Sequence, residues 1–183
     1  MKIFNRNTGI GLGIGIGIIG LTALLIREKE GLLVVFPVFT NFFGGASLLS
    51  GYPRGIRNNN PGNIELTQSL WKGEIPQLQN TDGRFKQFYS YTYGVRAAII
   101  NLRSYFKKGI CTPRQIISRW APPLENNTEG YIRFVAEYIG KDENTTLRFE
   151  KHVIQKLIEA IIIKENGKLY LNKKDFDKAW EMI

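Results

Sequence analysis

From Thr8 to Ile26 the chain runs for 19 residues without a charged side chain (TGIGLGIGIGIIGLTALLI), with Lys2 and Arg6 before it and Arg27 to Glu30 after it. In a helix rising about 1.5 Å per residue this stretch reaches roughly 28 Å, enough to cross the hydrocarbon of a bilayer. Alternating Gly and Ile between Gly9 and Gly20 suits a soluble helix poorly. It is tolerated in lipid, where a face of small residues lets helices approach closely. The expectation is an N-terminal transmembrane helix, with residues 1–30 as the anchor. A cleaved secretory signal shares the basic start and apolar middle, but the run is long and no A-x-A site comes after it. Lys and Arg are equally numerous on its two sides, so they set no orientation.

A second uncharged stretch, Gly31 to Pro53, is interrupted by Pro37, Asn41 and the pair Gly44-Gly45. Those breakers favour an apolar connector that lies on a membrane or packs over a second full span. The remaining residues, 54–183, suffice for one cored domain. An aromatic content of 12% and an apolar content of 43% argue against a disordered tail. The whole chain carries 25 basic and 16 acidic side chains, for a net charge of +9. Four of the basic and two of the acidic residues precede Arg54, which leaves 21 against 14, or +7, on the domain. That balance favours partners of negative charge: nucleic acid, an anionic membrane face or an acidic wall polymer. Lys and Arg are scattered and no nucleic-acid motif is visible, so nucleic acid is the weakest of the three. A single cysteine, Cys111, forbids an internal disulfide. A single histidine, His152, excludes His-rich zinc sites and makes a His-bearing triad hard to build. No metal or organic cofactor is expected.

Periodicity in the domain predicts a mostly helical α+β fold. A short apolar segment at Ile75 to Leu78, turn residues Asn80-Thr81-Asp82-Gly83 and the run Arg84 to Tyr89 read as a small β-hairpin. Val95, Ile99, Leu102 and Phe106 then recur at helical spacing until Gly109. Thr112-Pro113 with Gln115 reads as a capping box opening a helix that ends after Trp120, before Pro122-Pro123. Ile132, Val135 and Ile139 mark a third helix, stopped by Gly140. The widest apolar arc belongs to a fourth, from Leu147 to Lys164, which is the expected central helix. A short helix from Lys174 to Met182 closes the chain.

The central helix leads into Lys164-Glu165-Asn166-Gly167. A carboxylate in the last turn of a helix faces the negative end of the helix dipole and holds its proton more tightly, as a general acid must near neutral pH. If that end opens on a cleft, burial pushes the same way. A solvated residue beside a helix cap is the plainer reading. Asn58, Asn59, Asn60 and Asn63 place four amides around one turn; amides suit sugar hydroxyls and N-acetyl groups, and Asn also favours turns. Trp71 and Trp120 are candidate sugar platforms, or core. Glu125, between Pro122-Pro123 and a helix start, and Glu74, at the hairpin, are the alternative acids. Capping and an exposed turn position are their simpler roles.

The order Asn59-Asn60-Pro61-Gly62-Asn63-Ile64, then Trp71-Lys72-Gly73, Asp82-Gly83-Arg84-Phe85 and Phe88-Tyr89-Ser90, then a helix with Tyr105, resembles the cleft segment of bacterial cell-wall glucosaminidases of the flagellar and autolysin type. Arg54-Gly55-Ile56-Arg57-Asn58 with Trp120-Ala121-Pro122-Pro123 and Glu125-Asn126-Asn127-Thr128 resembles phage virion proteins assigned to lysozyme-like, lytic-transglycosylase-like enzymes. In the glucosaminidases the catalytic Glu lies shortly before the Asn block, whereas here that region is the uncharged connector. Glu165 resembles the Glu of the Ala-Ile-x-x-x-Glu-Ser-Gly helix end of lytic transglycosylases. The resemblance thus implies a circularly permuted lysozyme-like domain that cleaves β-1,4 bonds of peptidoglycan glycan strands, with Glu165 as the acid and with Trp120 and Asn126 near the cleft. It also implies a single-pass membrane protein of a virion or a bacterial inner membrane, its domain facing the wall, with other virion membrane or capsid proteins as neighbours. The rival expectation is a non-catalytic structural or nucleic-acid-contacting protein of a membrane-containing virion.

Overall fold

The structure is a computed structural model that describes residues 22–27, 33–38, 50–123 and 127–183. Two compact units divide the chain, Met1–Ala46 and Ser47–Ile183. In the first, strand β1 (Thr22–Arg27) pairs antiparallel with β2 (Leu33–Val38), Thr22 opposite Val38 and Arg27 opposite Leu33. The last five residues of the expected transmembrane helix, Thr22–Ile26, are therefore strand and not helix, and part of the expected connector is their partner. Residues 8–21 lie outside the described residues. Val34, Val35 and Phe36 are β-branched or aromatic and favour an extended backbone. In a two-stranded sheet both strands are edges, where Pro37 is tolerated. Among the described residues no helix is long and apolar enough to cross a membrane.

The second unit is predominantly helical. After the single-turn α1 (Arg54–Arg57) come α2 (Tyr91–Lys107), α3 (Pro113–Trp120), α4 (Thr128–Ile139), α5 (Lys151–Asn166) and α6 (Lys173–Glu181). The expected punctuation is present. Thr112 and Gln115 form the reciprocal capping box of α3, and Gly140 and Gly167 take the left-handed conformation that ends α4 and α5. Helix α5 is the centre: Ile154, Leu157, Ile158, Ala160, Ile161 and Ile162 are all buried, and α1, α2 and α4 pack against it. Each large aliphatic side chain among them contributes about 2 kcal/mol by leaving water. It starts at Lys151 and not at Leu147. The Leu147 amide is drawn instead into a 2.9 Å hydrogen bond with the Cys111 carbonyl, and Glu150 at the N-cap is extended.

The expected hairpin is replaced by a looser arrangement. Pro76 leads into a 3-10 turn at Gln77–Gln79, so Ile75 to Leu78 is not a strand. The run Arg84 to Tyr89 is flanked on both sides: Leu66 and Lys86 amides bond the Arg84 and Ile64 carbonyls, and Ile75 and Tyr89 amides bond Gln87 and Gly73. These contacts amount to the isolated bridges Glu65 to Phe85 and Glu74 to Phe88. The turn between them keeps the expected chemistry, with Asn80 Oδ1 accepting from the amides of Asp82 and Gly83.

Candidate active site

Asn59 and Asn63 have φ of 51° and 48°, a left-handed conformation that Asn adopts more readily than most side chains. Those two residues bend the amide-rich segment back on itself, and the neighbouring amides fasten it. Asn60 is fully buried: its Oδ1 accepts from the Ile64 amide, and its Nδ2 donates to the carbonyls of Ile64 and Lys86. Asn58 donates to Asp82 at 2.6 Å and accepts from Gln87, while Asn59 donates to the Phe88 carbonyl. Three of the four amides are thus spent building the bend. Asn63 alone reaches across it, donating from Nδ2 to Oε2 of Glu165 at 2.9 Å, over a separation of 102 positions.

The other carboxyl oxygen of Glu165, Oε1, accepts from the Tyr131 hydroxyl of α4 at 3.1 Å. Burial pushes the Glu165 carboxyl above the ordinary glutamate range, against the hydrogen bonds from Asn63 and Tyr131 and the charge of Lys164, all of which favour ionisation. Burial, with the carboxyl beside it, likewise drives the Tyr131 phenol well up, so Tyr131 keeps its proton to donate. The next residue locks the helix end to the bend: the buried Asn166 donates to the Pro61 carbonyl at 2.8 Å and to Ile162 at 3.0 Å. Gly55 makes this seam possible. A Cβ there would lie 2.6 Å from Asn166 Oδ1 and 2.8 Å from Asn63 Oδ1.

Glu165 and Asn63 line a cleft of about 540 Å³, together with Trp71, Trp120, the pair Glu65 and Arg84, and a group formed by Asn101, Tyr105 and Arg119. The Trp120 ring lies on Gly62, where a Cβ would come within 2.7 Å of it. It meets Tyr105 edge-on, with ring centroids 6.4 Å apart. A carboxyl held partly buried between two hydrogen-bond donors, in a trench with two indoles, can transfer a proton to a ligand oxygen lying between those rings. No family model matches the chain. Protein P5 of Pseudoalteromonas phage PM2 is 38% identical to it over 132 residues, 70% of this chain and 80% of that protein. The chain belongs to the protein P5 family.

In this member of the P5 family the other expected acids are placed differently. Glu74 is buried and forms an ion pair with the fully buried Lys86: both carboxyl oxygens lie 2.8 Å from Nζ, and Oε2 also accepts from the Trp71 amide. It is neither an exposed turn residue nor part of the cleft that holds Glu165. It clamps the loop that carries Trp71, whose ring lies 5.6 Å from the Lys86 ammonium. Glu125 and Asn126 lie outside the described residues. Of the expected site residues, the structure brings Asn63, Trp71, Trp120 and Glu165 to one cleft; Asn58, Asn59 and Asn60 stand behind it.

Sequence reading passed over Tyr131, Asn101, Glu65 and Arg119, and it named Tyr105, Arg84 and Asn166 only within motif segments, without a role. Tyr131 carried a usable signal, since it precedes Val135 by four positions and so shares the inner face of α4. Glu65 is a second carboxylate in the cleft. It accepts from Arg84 at 2.9 and 3.1 Å in an exposed pair.

Proposed function

We propose that this P5-family protein is a peptidoglycan-cleaving enzyme of a phage, of the lytic transglycosylase or muramidase type, with a lysozyme-like domain tethered to a bilayer through the uncharged amino-terminal stretch. The observation that carries the reading is Glu165. It is a carboxyl with a raised pKa, gripped on both oxygens, at the seam between the central helix and the amide-rich bend, in a trench with two tryptophans. Protonated Glu165 delivers its proton to the glycosidic oxygen as that bond breaks. The resulting carboxylate is stabilised where it stands by Asn63 and Tyr131. It then takes the proton from the nucleophile that closes on the anomeric carbon, which regenerates the acid.

In a transglycosylase that nucleophile is the sugar's own hydroxyl, and no second carboxylate is required. A hydrolase needs one to hold or oppose a water. Among the described residues, Glu74 is occupied by Lys86 and Glu65 by Arg84, which favours the single-acid route. Arginines in the cleft and a domain charge of +7 suit an anionic polymer.

Clearing of purified sacculi by the full-length protein and by Glu165→Gln tests the reading. Wild type is expected to clear, and the variant to lose activity by a factor on the order of 10² to 10⁴ while keeping its helical circular dichroism. Mass spectrometry of the products separates the two chemistries, because anhydro-ended products are one water lighter than hydrolytic ones. A phage relative and a basic domain also fit a non-catalytic, structural or nucleic-acid-contacting virion component; clearing by neither protein supports that role instead.

A further inference from the structure

One wall of the cleft holds hydrogen-bond donors that the acid chemistry does not use. Arg119, near the end of α3, is exposed on the cleft and has no hydrogen-bond or ion-pair partner among the described residues. The other arginine that lines the cleft, Arg84, differs, as do Arg54 and Arg114 away from it. Arg54 grips Asp82, Arg84 holds Glu65, and Arg114 bridges Glu129 and Glu143. Tyr105 of α2 stands beside Arg119, close enough for the guanidinium charge to act on the phenol. Its ring is buried, its hydroxyl accepts a long 3.4 Å bond from Asn101, and its own O–H proton has no acceptor among the described residues. A guanidinium fork and a phenolic donor side by side, next to the Trp120 ring, match the two oxygens of a carboxylate.

The geometry points to a carboxylate-binding subsite formed by Arg119 and Tyr105, which takes a carboxylate of the peptide branches carried by wall glycan and so selects strands with charged peptides over uncharged ones. This rests on the reading that the cleft holds peptidoglycan. A chitin-like strand, or a wall strand whose carboxylates are amidated, offers the same sugar faces to Trp71 and Trp120 but no charge to Arg119.

Two measurements on the full-length protein test it. The first compares initial rates on intact sacculi and on sacculi whose carboxylates have been converted to amides with a carbodiimide and ammonia. Wild type is expected to cut the unmodified strands about tenfold faster or more, the scale of one charge-assisted contact. In Arg119→Gln the ratio falls toward one through a higher KM, with kcat on intact sacculi little changed; Arg119→Lys retains part of the preference. Equal wild-type rates on the two substrates, or an unaltered ratio in Arg119→Gln, overturn the subsite.

The second measurement is calorimetric binding of a disaccharide-peptide, and of the same compound with its carboxylates amidated, to Glu165→Gln protein with and without Arg119→Gln. Tighter binding of the charged form that vanishes with Arg119 upholds the subsite even if wild type cuts nothing, in which case only the enzymatic reading falls. Equal binding of the two ligands overturns the subsite even if cleavage is observed.

Discussion

In the helical body, residues 91–183, the buried interior is made of Ile, Leu, Val, Ala and a few aromatic side chains spread over α2 to α6. In the loop-built face, residues 50–90, Phe88 is the one large apolar side chain buried among the described residues, and the other large buried side chains are Asn58, Asn60, Glu74 and Lys86. The first region is held by removing hydrocarbon from water. The second is held by satisfying polar groups that have been taken out of water, a geometry that fails abruptly if one partner is removed. The cleft lies on the seam. Glu165 comes from the apolar body, where burial raises its pKa, and Asn63 comes from the polar face, where a donor can be aimed at it. A desolvated acid with a fixed donor requires both kinds of surroundings.

The contrast can be tested by substitution. The largest stability effect is expected at the buried pair: Glu74→Gln or Lys86→Met strands a charge and costs about 3–5 kcal/mol, measured by chemical denaturation, whereas the double replacement Glu74→Leu with Lys86→Met costs less than either change alone. Equal and additive losses would mean that the pair is not the clamp described. Leu157→Ala in the body costs about 3 kcal/mol for lost burial and the cavity left behind, and that loss is the same at pH 4 and pH 7.

Asp82→Asn is expected to be smaller, about 2 kcal/mol at neutral pH. Burial alone would raise the Asp82 pKa, but hydrogen bonds from Arg54, Asn58 and the amides of Phe85 and Arg84 hold it well below the usual carboxylate range. Because the folded-state value is depressed, the stability it contributes is complete above the unfolded value near 4 and is lost as pH falls further. The gap between Asp82→Asn and wild type in melting temperature should therefore close on acidification below about pH 4, unlike that of Leu157→Ala. The smallest stability change, under about 1 kcal/mol, belongs to Tyr131→Phe. It removes a donor that favours the Glu165 carboxylate, so burial raises that acid further and the alkaline limb of the clearing profile moves to higher pH. An unmoved limb would separate Tyr131 from the acid.

The helices were legible because their information is local. Thr112 and Gln115 meet within one turn, Gly140 and Gly167 end their helices by their own backbone freedom, and the arc from Ile154 to Ile162 marks the buried face by spacing alone. The polar face was less so. Alternation suggested a hairpin, but Pro76 and the flanking of residues 84–89 by two separate segments decided otherwise. The extended backbone of Thr22–Ile26 was hidden by an uncharged composition that suits a membrane helix equally well.

Within the site, residue type and position in the chain were enough to single out Glu165, Asn63 and the two tryptophans as candidates. They ranked Glu165 ahead of Glu74 and Glu125 by its place at the end of the central helix, but not by what surrounds each acid. Only the fold put Lys86 against Glu74 and Asn63 with Tyr131 against Glu165. Local sequence determines where helices start and stop because those bonds close over three or four residues. What a carboxyl does depends on which distant groups share its few ångströms of poorly hydrated space, and tertiary packing alone decides that.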